Sequence, residues 1–330
     1  MARTSQSALR APDHYVCSMR ARLIAAFAAV YIVWGSTYLA IRFAVETLPP
    51  LLMAGARFAL AGGILLLWSR FHSGEVAPTA RDWRTGLVSG GLLLVGGNGL
   101  VVWAEQRVPS GITALLVAVV PVWMVLLDWL RPRGRRPATL VFIGLALGLG
   151  GLAMLVGPGT SGGNDKTDLA GALVLVFASL SWAAGSLYTQ HAPKASSGLN
   201  GSATQMVAGG AALLIIGALS GEAGRLDLTH ASMRSILGFF YLVSFGSLVG
   251  YTAYIYLLNH TSAAKASTYA YVNPVVAVFL GWLLAHETVT SRTLLAAAVI
   301  LAGVAIITVA RDPHPKVAAV PASRPSDARA

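Results

Sequence analysis

The residues with chemical capacity in this 330-residue chain are mostly indoles, amides and hydroxyls set inside apolar runs. Trp34, Thr37, Tyr38 and Ile41 recur at i, i+3, i+4 and i+7, so a helix carries them on one face. Trp182, Gly185, Ser186 and Thr189 repeat that spacing. Ser247, Tyr251 and Tyr254 make a third row, and Tyr269 with Asn273 a fourth, beside which Ser267, Tyr271 and Pro274 share the adjoining face. Asn98 and Trp103 stand on another apolar run. A polar group deep in hydrocarbon must face protein or a cavity. Aromatic walls with a few hydroxyls and amides suit a flat, amphipathic solute. Such a set binds a molecule; it does not break bonds.

Other residues point to movement. Pro121 and Pro274 each remove a backbone hydrogen bond and free a carbonyl, which protein or cavity water must then satisfy. Arg57 lies seven residues into an apolar run, ~10 Å deep at about 1.5 Å per residue, where it either receives an anionic group or pairs with Glu105. Glu105 and Glu287 stand near the ends of runs. Together with Arg57 and the two prolines they are the gating or coupling candidates. No carboxylate falls in the middle of a run, which favours facilitated diffusion or exchange over proton–cation exchange at that depth. An intramembrane hydrolase needs HExxH, paired aspartates or a Ser/His dyad. Glu287 follows His286 without a second histidine, and both His260 and His286 lie at loops. A single cysteine, Cys17, excludes an intrachain disulfide and a Cys-based metal site. No cofactor is expected. An enzyme or a channel using the same cavity is the alternative reading.

The elements that must position these residues follow from composition. Hydrophobic residues make up 55% and charged residues 11%, against roughly 25% charged in soluble domains. The expected class is an all-α polytopic membrane protein. Ten apolar runs of spanning length fall at 23–46, 51–69, 85–104, 111–130, 138–156, 169–190, 203–219, 235–258, 265–285 and 293–310. With ten spans both tails share one side, which holds 17 of the 24 Lys and Arg residues. That side is expected to be cytoplasmic, its arginine loops lying against anionic lipid rather than nucleic acid. Residues 1–22 and 311–330 read as disordered cytoplasmic tails, and 157–168 as a periplasmic linker. No feature specifies an oligomer.

The halves 23–156 and 169–310 echo each other. Trp34 matches Trp182 at an offset of 148 residues, and MAGARFALAGGILLL from Met53 matches GSATQMVAGGAALLI from Gly201. Further on, Pro121 faces Pro274, Trp129 faces Trp282 and Gly150 faces Gly303. Five spans per half is odd, so the second half enters the membrane from the opposite side, as in many secondary transporters.

IVWGSTYLAIRFAVETLPPLLMAGARF at 32–58, GGNGLVVWAEQRVPSGITALL at 96–116, SWAAGSLY at 181–188 and TYAYVNPVVAVFLGWLLAHETVT at 268–290 resemble the EamA type of drug/metabolite transporters. The resemblance covers about 23–310. It implies ten helices in two EamA repeats, a central cavity, a bacterial inner-membrane location and outward movement of small metabolites, such as amino acids, or of drugs. The second half carries the family's acidic residue after its fourth helix, Glu287 in AHETVT, whereas the first half has Gly134 there.

Overall fold

The computed structural model describes residues 13–72, 74–131, 138–156, 168–261 and 263–310. All regular elements among them are helical. In chain order they are α1 (Asp13–Ala44), α2 (Pro50–Phe71), α3 (Ala80–Ala104), α4 (Ser110–Leu130), α5 (Thr139–Val156), α6 (Leu169–His191), α7 (Gly198–Leu219), α8 (Met233–His260), α9 (Tyr269–Ala285) and α10 (Ser291–Ala310). A 3₁₀ turn, Glu222–Arg225, follows α7, and a single helical turn, Ala263–Ala266, precedes α9.

Among the described residues, seven helices are long and apolar enough to cross a membrane: α1 from Arg20 onward, α2, α3, α4, α6, α7 and α8. The other three expected runs coincide with shorter apolar stretches, Thr139–Gly148, Val272–Ala285 and Ser291–Gly303. α1 starts at Asp13, inside the tail expected to lack structure. The reason is local: no Pro or Gly interrupts residues 13–34, and Met, Ala, Leu and Arg propagate a helix without needing burial. Residues 1–12, the arginine run beyond Arg131, the linker at 157–167 and the tail from 311 lie outside the described residues.

Helix starts follow the sequence where a cap is local. Thr79 and Asp82 form a capping box at α3, and Asp168, Ser197 and Ser232 cap α6, α7 and α8. Two helices start after prolines and take their caps from the other half of the chain. Both Leu51 N and Leu52 N of α2 donate to Glu222 Oε2 at 2.9 Å. At the head of α4, Ser110 N and Gly111 N donate to Glu287 at 2.9 and 3.1 Å, and Ser110 Oγ adds a bond of 2.7 Å. These carboxylates satisfy the orphan donors of a helix N-terminus and meet its partial positive charge. Glu287 is aimed by His286, which ends α9 at φ 54 and turns the chain back on itself.

Small residues set the packing. α2 lies antiparallel to α7: Gly217 faces Leu52, Gly210 faces Ala59 and Gly55, and Val207 faces Gly62. α5 lies antiparallel to α10 in the same way, with Gly151 against Ile300 and Gly303 against Gly144 and Gly148. Glycine here lets backbones approach closely. Gly63 and Gly150 face open space. Across the centre, α1 packs on α8 and α9, while α6 packs on α3 and α4.

Candidate functional site

The site is built where two helices change their winding. Gly91–Gly99 in α3 and Leu242–Tyr251 in α8 are π-helical. The wider turn leaves carbonyls imperfectly paired within the helix and is often found at functional positions. Trp34 Nε1 of α1 donates to Gly246 O at 3.2 Å, and Ser181 Oγ of α6 donates to Leu92 O at 2.8 Å. The first helix of each half thus supplies a donor to the π segment of the other. The sequence reading put the interruptions at prolines and missed these segments. Their signal was the glycine-rich GGLLLVGGNG at 90–99 and the small residues of FGSLVG at 245–250.

Trp34 and Trp182 meet edge to face, with ring centroids 5.5 Å apart. Tyr254 lies 4.9 Å from Trp34 and 5.5 Å from Trp182, and Tyr269 lies 5.2 Å from Trp34. Beside this cluster is a cavity with ≈ 60 Å³ of water-accessible space. Of the residues singled out from sequence, Trp34, Thr37, Tyr38, Arg57, Asn98, Trp182, Tyr251 and Asn273 line it. Phe58, Gly97, Gly246 and Tyr269 complete the polar and aromatic wall, the last having been noted only as sharing a face with Asn273.

Ser186 and Tyr254 stand directly behind the wall. Tyr254 OH is 2.7 Å from Ser186 Oγ and receives Trp182 Nε1 at 3.2 Å. The Asn273 amide nitrogen, in the orientation that satisfies it, donates to Tyr269 O and to Tyr31 O on α1. Tyr271 falls within α9, but its side chain lies outside the described residues. Pro121 and Pro274 do not line the cavity. Pro121 opens the second part of α4 after a break at 118–119, and Pro274 borders an outer apolar groove with Phe279 and Trp282.

Arg57 is buried at 2% exposure. Its Nε donates to Ser247 Oγ at 2.7 Å and its guanidinium stacks over Phe58, 4.6 Å from the ring centroid. Its Nη1 has no partner, and neither has Asn98 Oδ1. The ion pair with Glu105 does not form among the described residues. Glu105 is fully buried with both carboxyl oxygens unpartnered, in electrostatic range of Arg42, Arg57 and Glu287. Arg42 donates to Glu105 O at 2.8 Å. Ser247 and Phe58, not the carboxylate, hold the guanidinium.

A second cavity of ≈ 210 Å³ lies at one end of the bundle, lined by Asp82, Thr189, Lys194, Gln205 and His260 among others. Tyr251 borders the first cavity and Gln205 the second, and Tyr251 OH donates to Gln205 Oε1 at 2.7 Å. Sequence reasoning missed Gln205, whose role depends on contact between helices far apart in the chain.

The described residues form apolar helices around a small aromatic and polar cavity, an architecture suited to a membrane carrier. The chain belongs to the EamA-like transporter family, which matches it twice, over residues 21–157 and 169–309. It is 42% identical over 290 residues to the "Uncharacterized inner membrane transporter YedA" of Escherichia coli K12, covering 88% of this chain and 91% of that one. It is 25% identical over 276 residues to the "Uncharacterized transporter YoaV" of Bacillus subtilis, covering 84% and 93%. A solved structure described as "Crystal structure of protein" shares the fold, with a TM-score of 0.63 at 17% identity, over 88% of this chain and 99% of that one. The protein is therefore a membrane transporter of the drug/metabolite type and not an enzyme.

Proposed function

We propose that this transporter exports small amphipathic metabolites, amino acids and related compounds among them, or drugs, by alternating access around the Trp34–Trp182 cavity. The observation that carries this reading is the small cavity beside the two tryptophans, walled by both halves and lined by unpartnered polar atoms. Its ≈ 60 Å³ is far below the roughly 300–1,000 Å³ of a ligand pocket. A solute of metabolite size therefore needs the walls to part.

The architecture we infer is ten transmembrane helices in two inverted repeats, 23–156 and 169–310, joined by a periplasmic linker. Both tails and the arginine-rich loops are cytoplasmic, against anionic lipid of a bacterial inner membrane. Antiparallel packing of the equivalent pairs α2/α7 and α5/α10 supports the inversion. So does the exchange of donors between the first helix of one half and the π segment of the other. In this frame the ≈ 210 Å³ cavity is a cytoplasmic vestibule, and the Tyr251–Gln205 bond closes it off from the centre. Glu287 on the head of α4 is the matching periplasmic latch. Rocking of one half against the other breaks the two closures in turn.

The test is counterflow of small amphipathic metabolites in proteoliposomes. Saturable uptake is expected, reduced more than tenfold in the double variant Asn98→Ala, Asn273→Ala. Undiminished flux in that variant would place the site elsewhere. Conductance far above carrier rates would favour a channel using the same cavity.

A further inference from the structure

We propose that Arg57 is the anion-recognition residue of the cavity, so that the solute carries a carboxylate or equivalent single negative charge beside a flat apolar body. This rests on the carrier reading and adds a head-group charge to it. Among the described residues lining the cavity, Arg57 alone carries a formal charge; no Asp, Glu, Lys or His shares the wall. Its guanidinium is held rather than mobile: Ser247 takes Nε, Phe58 covers one face, and a side chain at Gly246 would collide with Nη2. Nη1 remains, buried and unpartnered, on the same cavity as the buried, unpartnered Asn98 Oδ1.

A buried cation with an empty donor calls for an anion, because charge in a low-dielectric interior is tolerated when paired and hydrogen-bonded. The planar fork of arginine favours a carboxylate. Asn98 Oδ1 accepts, so the solute also presents an N–H or O–H donor. The two needs together describe one small molecule with an anionic head, a neighbouring donor, and a ring to lie among Trp34, Trp182, Tyr251 and Tyr269. Glu105 is the one internal competitor. It lies in electrostatic range of Arg57 but makes no ion pair with it and does not line the cavity.

The rival is an aromatic cage for a cation, since Trp and Tyr faces attract ammonium groups. A full positive charge on the same wall opposes that use. The partial charge on ring faces is weaker than the guanidinium's.

Three probes with one body separate the cases: 3-phenylpropanoate, 3-phenylpropanamide and 3-phenylpropylamine, titrated calorimetrically into the full-length protein in detergent. The carboxylate is expected to bind at least tenfold more tightly than the other two. Arg57→Gln removes that preference while leaving the amide's affinity within threefold, and Arg57→Lys retains part of it. If Arg57→Gln does not fold, Asn98→Asp reads the same field: a second charge of opposite sign on the wall lowers carboxylate affinity more than tenfold, and by a larger factor than it lowers the amide's. Equal binding of all three, tighter binding of the amine, or a preference that survives Arg57→Gln overturns the anion site and leaves the carrier reading standing. Binding of none of the three overturns the anion site, and loss of saturable counterflow as well removes the carrier reading.

Discussion

In the proposed cycle two single side chains act as closures by different chemistry. Tyr251 and Gln205 form one neutral hydrogen bond at 2.7 Å, worth about 1 kcal/mol net. Tyr251→Phe and Gln205→Leu should therefore couple, their combined effect on thermal stability in detergent falling short of the sum by about 1 kcal/mol. Strict additivity would show the bond to be incidental. Glu287 is a charged acceptor for three donors, and bonds to charged groups contribute about 1.5–3 kcal/mol. Glu287→Ala should cost about that much. Ser110→Ala should cost less, because both backbone donors keep their partner; an equal loss in the two variants would contradict the cap. Of the single residues, the indoles, amides and Arg57 were legible in the sequence because polar groups stand out in apolar runs. The partners of Arg57 were not. A choice between Glu105 and a ligand depends on geometry that Ser247 and Phe58 impose from α8 and from the neighbouring position.

At the scale of elements, α2 and α7 touch through glycine. A methyl group at Gly62 would lie 2.8 Å from Val207 N and 2.9 Å from Ala203 O, both backbone atoms, whereas one at Gly63 meets nothing within 4 Å. Gly62→Ala should separate the helices and cost about 1–3 kcal/mol. Gly63→Ala should be neutral or stabilise by up to about 1 kcal/mol through helix propensity alone. Equal unfolding temperatures for the two variants would contradict the close packing. Helix positions were readable from apolar runs, and the repeat from Trp and Gly landmarks. The π segments were not, because apolar periodicity cannot register one extra residue in a turn. The caps from Glu222 and Glu287 escaped for another reason. Each joins a loop to a helix more than 170 positions away, and prolines at those helix starts showed only that a local cap was missing. Pro121 and Pro274, the interruptions visible in the sequence, do not line the cavity.

At the scale of the whole molecule, α2/α7 and α5/α10 join the two halves by antiparallel packing, and both halves contribute to the cavity wall. The most direct test of that account is two-sided accessibility at its centre. With Cys17 replaced by Ser, Asn98→Cys gives a chain whose single thiol sits on the cavity wall. A membrane-impermeant thiol reagent is then applied to right-side-out and to inside-out vesicles, with and without transported solute. The account predicts slow modification from either face, slowed further by solute, as the site opens to each side in turn. Modification from one face alone, unaffected by solute, would contradict it.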